Sequence, residues 1–398
     1  MAGITVPDRT PNAVRSTVQV SIDLALLAAC IAGVILAPLT GKIACTFALA
    51  VVLARLFVLG HDACHGSLFK SGKVNAFVGR LVFLPTLTTF SLWHVGHNVA
   101  HHGFANLKGR DQVWVPFSPQ EFAALPRWRQ SMERIYRSVW GFGLYYLVEL
   151  WWNKLVFPSR RHVGSRRTEF IVDSVLAAAF GAVYFAFLIV IAFVTEQPWW
   201  LLALFGGVLP FLLWNYIMGT VIFMHHTGPD TVWFDKRSEW MRLRKVDDLT
   251  RDIHFPFRLE KLLHGIMLHR AHHYDPFIPN YRLKAATRRL LTHGLASAKA
   301  TVAGWKHLRE LSRKCALYDY DAKAWLAFPA RQATTAARRA TGDGRRATGD
   351  GREGSRTPER FPHFDPFDAH FRCVVPEHLA AGLCFRRLCS RTTKVSSA

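Results

Sequence analysis

The chain has 398 residues, half of them hydrophobic, with a formal net charge of +22 and a mean hydropathy of +0.11. Charge and apolar residues must be segregated to coexist at those levels, and the apolar ones gather in runs that reach the roughly 20 residues needed to cross a bilayer. No aromatic-basic module or zinc-finger spacing accompanies the basic excess, which excludes nucleic acid as a partner. The seven cysteines (Cys30, Cys45, Cys64, Cys315, Cys373, Cys384, Cys389) are odd in number and scattered, which excludes a disulfide framework.

Residues 1–16 are polar, carry Arg9 and Arg15, and have no cleavable signal pattern, so they read as an N-terminal cytoplasmic segment. A first span is predicted over about 18–39, interrupted only by Ser21 and Asp23, and a second over about 42–60 after a turn at Pro38, Thr40 and Gly41. Residues 77–93 are apolar but short, and they contain Pro85 and several threonines. A full crossing there would put His61 and His97 on opposite sides of the membrane, so a re-entrant or interfacial segment is expected, with protein or water covering its backbone.

Residues 102–167 are polar and rich in Arg, Lys and Trp; Trp151 and Trp152 suit either the headgroup level or an ordinary packed helix. Two further spans, about 170–194 and 199–224, turn at 195–198. The predicted fold is therefore an all-α integral membrane protein with two transmembrane helical hairpins, four spans in all, over a domain of 17–326. The loops at 61–167 and from 225 onward hold nearly all the Lys and Arg, and the positive-inside rule makes that face cytoplasmic. Residues 327–398 are expected to be a disordered low-complexity tail, since 337–344 is nearly repeated in 345–351 without apolar periodicity.

Three histidine clusters stand at span ends: His61 and His65; His97, His101 and His102; His269, His272 and His273. On a helix, residues three and four apart share a face, so each cluster aims its imidazoles at one place. One zinc site takes about four ligands. Eight imidazoles fit two metal ions with open positions in a cytoplasmic helical cap. Zinc there would mean hydrolysis and iron oxygen chemistry; a membrane setting with few carboxylates favours iron, because saturated hydrocarbon needs a metal oxidant.

Gly60-His-Asp-Ala-Cys-His-Gly-Ser-Leu-Phe69, then His97-x-x-x-His101-His102, then His269-x-x-His272-His273 resemble the three histidine boxes of membrane-bound fatty acid desaturases, in order and spacing. Gly109-Arg-Asp-Gln-Val-Trp-Val-Pro116, Met224-His-His-Thr-Gly-Pro229 and Ile278-Pro-Asn-Tyr-Arg-Leu283 are similar to segments of the acyl-lipid omega-6 (delta-12) type. The resemblance covers about 17–295. It implies a diiron centre that uses O2 and two electrons to place a cis double bond in a fatty acyl chain. It also implies an external donor, ferredoxin or a cytochrome b5-like protein, because no His-Pro-Gly-Gly signature of a fused cytochrome b5 occurs.

His226 matches the family's additional ligand, which brings the expected metal ligands to nine. His225 and His264 are read as packing against or orienting the ligands. Asp62 and Asp275 are read either as acceptors from ligand imidazoles or as an ordinary cap and surface carboxylate. His94 and His254 are read as structural, and His162, His293 and His307 as solvated. Trp233, Phe234, Phe255 and Phe257 either line an acyl tunnel or pack in the core.

A related diiron hydroxylase, or a carotenoid hydroxylase or ketolase, would use the same ligands. A metal transporter or sensor would need ligands inside the spans. A zinc protease would need a glutamate where Asp62 stands.

Overall fold

The computed structural model describes residues 9–158, 167–297, 301–302 and 304–330. All belong to the first of two units, 1–345 and 346–398. The near-repeat expected to be disordered, and His162, lie outside the described residues.

Among the described residues, four helices are long and apolar enough to cross a membrane: Ala13–Leu36, Leu39–His65, Thr168–Val194 and Trp199–His226. The first begins earlier than its apolar run because Asn12 caps it, its side chain accepting from Arg15 N at 3.0 Å. The second runs on to His65 and stops at Gly66, whose φ of 72° is the left-handed conformation that ends helices. The first histidine box therefore forms the last turn of the helix.

At the far end of this hairpin the carbonyls that finish the first helix are capped from two sides. Lys42 Nζ donates to Val34 O at 2.5 Å and to Ile35 O at 3.1 Å, and Gln197 Nε2 donates to Ile35 O at 2.9 Å. A cation at a helix C-terminus satisfies both the hydrogen bonds and the dipole.

The first span packs along the second, the second along the fourth, and the third along the fourth. Helix Phe142–Tyr145 and its π-wound continuation Tyr146–Val156 press on the fourth span. Glycine permits the approach: a Cβ on Gly219 would stand 2.1 Å from Phe142 O, and one on Gly143 2.8 Å from Tyr216 Cα. Trp151 thus packs edge-on to Phe211 with centroids 5.0 Å apart, while Trp152 is exposed.

The segment expected to turn back is a broken pair, Gly72–Thr86 and Phe90–His102, bent by 103°. Pro85 and Leu87, whose φ is 50°, make the break. Arg80 holds Asp173 of the third span at 2.7 Å, and Asp173 also accepts from Ser91 N at 2.9 Å, so both arms are tied to one carboxylate.

The fold departs from all-α in two small sheets. Ile253–His254 pairs parallel with Thr301–Val302, and Leu317–Asp319 pairs antiparallel with Ala324–Leu326. The cross-strand pair Tyr318 and Trp325, 5.1 Å apart, supplies the packing that holds so short a hairpin. Order also continues past the expected boundary at 326: Phe328 lies 4.9 Å from Phe122, and Pro329 O accepts from Arg134 at 2.8 Å.

Candidate metal centre

All nine histidines expected as ligands come together, and they divide into two groups whose ligand atoms lie within 4.8 Å of one another: His61, His65, His97, His102 and His272; and His101, His226, His269 and His273. The division does not follow the boxes. Val95–His102 is wound as a π-helix, in which residue i meets i+5. His97 and His102 consequently face each other, Nε2 to Nε2 at 3.1 Å, and His101 turns to the second group. The third box, His269–Tyr274, is α-helical, so His269 and His273 serve one group and His272 the other.

Arg270, between them, points away into a polar anchor. Its backbone N–H and Nε donate to Asp252 at 2.9 and 3.2 Å, and its Nη1 reaches Asp247 at 2.9 Å.

Two buried carboxylates orient ligand rings. Asp62 Oδ1 accepts from His61 Nδ1 at 3.1 Å while its Oδ2 accepts from Asn280 N at 2.9 Å. Asp111 Oδ1 accepts from His101 Nδ1 at 3.0 Å and from Val113 N at 3.1 Å, and its Oδ2 accepts from Asn106 N at 2.8 Å. His226 Nδ1 donates to Leu249 O at 3.2 Å. With the proton on Nδ1, each of these rings presents its Nε2 lone pair inward.

The convergence of those lone pairs tests whether metal fits. His61 Nε2 is 3.0 Å from His272 Nε2, His272 Nε2 is 2.9 Å from His102 Nε2, and His226 Nε2 is 3.3 Å from His269 Nε2. The buried Nε2 atoms of His65 and His273 have no protein partner among the described residues. So many acceptors facing one another unpaired are costly unless cations lie between them, and an all-imidazole donor set suits a transition metal. Burial first, and neighbouring imidazoles second, hold the rings of His269, His272 and His273 well below the ordinary imidazole pKa. That keeps them in the neutral, ligating form.

The other expected residues scatter. His225 stacks on His269 with centroids 3.8 Å apart, in contact with the ligand shell. His264 does not join it: its Nε2 bonds Asp23 at 2.5 Å, and Gln19 lies 3.3 Å from its Nδ1, because its left-handed backbone (φ 51°) turns the ring toward the first span. Among the described residues Asp275 accepts no imidazole proton; Arg9 Nε donates to its Oδ2 at 2.5 Å and Phe277 N to its Oδ1 at 3.2 Å.

His254 lies 3.6 Å from Glu260, and His94 and His293 are exposed. His307 differs from the expectation of solvation, with its Nε2 buried. Asp111 was not singled out by spacing. The signal was available in the Gly109–Pro116 segment, where a lone carboxylate stands nine residues past His102.

An apolar cavity of about 100 Å³ touches both groups at His61, His97, His101, His226 and His269, and its wall is built from Phe57, Trp93, Tyr146, Leu150, Met218 and Ile222. The aromatics proposed for a tunnel lie elsewhere: Trp233 and Phe234 are buried in separate clusters, and Phe257 is 95% exposed. One cation, Lys154, stands on the cavity wall with its Nζ donating to Gln112 O. Burial pulls its pKa down to about 8, against the opposing charges of Asp111 and Glu149.

The chain is similar in sequence to known proteins. The chain is 27% identical to an sn-1 oleoyl-lipid 12-desaturase of Picosynechococcus sp., over 77% of this chain and 86% of that protein. It is 29% identical to a protein of the same name from Anabaena variabilis, over 68% of this chain and 74% of the relative. It is also 27% identical to a chloroplastic omega-6 fatty acid desaturase of Arabidopsis thaliana, over 67% of this chain but only 57% of that longer protein. Residues 37–303 match the family described as Fatty acid desaturase, and on that match, which takes in all nine clustered histidines, the chain belongs to the fatty acid desaturase family and is an oxidoreductase that desaturates fatty acyl chains.

Proposed function

We propose that the chain is an acyl-lipid desaturase of the delta-12 (omega-6) kind, with two iron ions held by the five- and four-histidine groups. The observation that carries this reading is that both groups open onto one apolar cavity. A wall that is mostly apolar binds a methylene chain by excluding water.

A pair of iron ions bound there supplies O2 chemistry: one O2, two electrons and two protons turn a CH2–CH2 unit into a cis CH=CH and two waters. The protein's own part is positioning. Asp62, Asp111 and Leu249 O fix ring orientation, Arg270 anchors the third box, and Phe57, Trp93 and Tyr146 exclude water from the acyl chain.

We take the site to lie at the cytoplasmic membrane face, because the loops beyond the histidine ends of the spans carry most of the basic residues. Its electrons would come from a ferredoxin or a cytochrome b5-like carrier. The segment at 77–93 is read as re-entrant, since His61 before it and His97 after it have rings only 4.8 Å apart. The test is expression in a host whose membranes hold saturated and monounsaturated chains, with metal analysis of the purified protein and methyl-ester profiling of the lipids. Two irons per chain and new diunsaturated chains are expected; hydroxylated chains without new double bonds, or one zinc and no iron, would overturn the reading.

A further inference from the structure

The reaction consumes protons, and the cavity that touches both histidine groups has few side chains able to give one. Its wall is mostly apolar, and a bound acyl chain excludes the water that would otherwise carry protons in. His61, His97, His101, His226 and His269 on that wall belong to the two histidine groups, and a ring whose lone pair is turned to a cation has no proton to release there. His225 is stacked on His269, where a neighbouring cation disfavours a protonated ring. Tyr146 is a phenol whose pKa is pushed up by burial. The remaining protonated group is Lys154.

The membrane side supplies no alternative. A larger cavity among the four spans, of about 600 Å³, is lined by one titratable side chain among the described residues, Tyr184, and its hydroxyl is spent on Gly206 O at 2.8 Å.

Lys154 is placed differently. It belongs to Tyr146–Val156, whose π winding brings residue i against i+5, so Glu149 and Lys154 share a face. The ammonium has three N–H groups and, among the described residues, one acceptor, Gln112 O. Gln112 also lines the cavity, and Asp111 next to it accepts from His101 Nδ1 at 3.0 Å. The loop that orients His101 therefore also holds the ammonium, which keeps hydrogens to spare. At the other end of the shared face, Glu149 is 20% exposed and meets Arg129, itself 24% exposed, at 2.5 Å. That face leads from the cavity wall to water.

The charges that act on Lys154 are Asp111, from the loop after the second box, and Glu149, from its own helix. Both favour the ammonium, but burial outweighs them and brings the pKa down to about 8. An amine with that value is protonated at neutral pH and still parts with its proton readily, unlike one at the ordinary value of about 10.4.

We propose that Lys154 is the proton donor of the metal cavity, refilled from solvent along the face it shares with Glu149. In each transfer the Nζ–H bond breaks, its electron pair stays on Nζ, and an O–H bond forms on oxygen that is being reduced to water. A proton from solvent then restores the ammonium. The inference rests on the desaturase reading for its reaction, and its test is separable from that reading.

Full-length metal-free protein carrying 13C at lysine Cε is titrated by NMR in detergent, with Lys154 assigned by the signal lost in Lys154→Met or Lys154→Arg. Its midpoint should fall near 8, well below the roughly 10.4 of exposed lysines, and Glu149→Gln should move it lower still. Iron-loaded protein in dioleoylphosphatidylcholine vesicles is then reduced with dithionite and given O2. Formation of diunsaturated chains should slow as pH rises through the Lys154 midpoint, and it should fall about a hundredfold or more in both Lys154→Met and Lys154→Arg with bound metal unchanged. Arginine decides the matter, because it keeps the charge and can still bond Gln112 O but does not release its proton. Full activity in Lys154→Arg reduces the residue to a fastener of the loop and overturns the proposal, as does a midpoint at the ordinary lysine value. A midpoint unmoved by Glu149→Gln removes the route to solvent along that face. A lowered midpoint in wild-type protein that makes no unsaturated product leaves the proton site standing and sinks the desaturase reading instead.

Discussion

Of the four long helices, the second and fourth have 61% and 39% of their most apolar stretch buried inside the protein, while the first and third have 11% and 17%. All four pass the same test of length and apolarity, yet they do different work. The inner pair ends in His61, His65 and His226 of the two histidine groups and carries Trp214 with its side chain wholly buried. The outer pair presents Leu26, Val175, Val183 and Val190 outward and buries Asp23, held by Arg55 at 2.6 Å, and Asp173, held by Arg80 at 2.7 Å. Apolarity therefore decides which helices suit a bilayer. What each helix faces is decided by its partners.

The contrast is most sharply broken at the ligand end. His272→Ala should reduce desaturation by more than about a hundredfold, beyond the 10- to 100-fold typical of a residue that only supports a ligand, and should lower bound metal, while His293→Ala on the surface should do neither. Lipid profiling with metal analysis reads both, and retained activity in His272→Ala would remove the assignment.

Next in size, Trp214→Ala in the inner pair should cost about 3–5 kcal/mol of stability. Val183→Ala on the outer pair should stay within about 0.5 kcal/mol. Equal shifts in thermal midpoint in detergent would erase the distinction between the pairs.

The supporting carboxylates give a smaller, graded effect. Asp111→Asn should weaken metal retention about 10- to 100-fold, as loss of a ring-orienting acceptor does. Asp275→Asn should leave metal retention unchanged, since that carboxylate holds Arg9 and not an imidazole.

The gentlest perturbation is pH. The rings of His269, His272 and His273 have pKa values lowered by burial, so the unfolded chain binds more protons than the folded one. Stability from these groups is complete above the unfolded value of about 6.5 and is lost progressively as pH falls below it. Titrating metal-free protein from about pH 8 downward should lower its thermal midpoint only below that value; a midpoint that rises on acidification would contradict the burial of neutral rings.

Much of this was legible in the chain. Four apolar runs predicted four long helices because crossing length is a local property, and three clusters at run ends, with His226 added by the family resemblance, predicted the nine histidines that the fold brings together. The errors fell where distant contacts decide. His264 sits among histidine-rich sequence, yet its backbone turns it toward Asp23; Asp275 lies two residues past His273, yet Arg9 claims it. Asp111 looked like any loop carboxylate until folding set it under His101.

By itself the sequence determined the apolar spans, the histidines that converge and the family, since each rests on residue type and spacing along the chain. The tertiary structure decided how the histidines divide between two groups and where the apolar cavities lie. The π-wound turn at Val95–His102 sends His97 and His102 to one group and His101 to the other, a choice made by backbone hydrogen bonds that residue spacing does not encode. Each cavity exists only because segments far apart in the chain leave space between them, and no single stretch of sequence carries the shape of a gap.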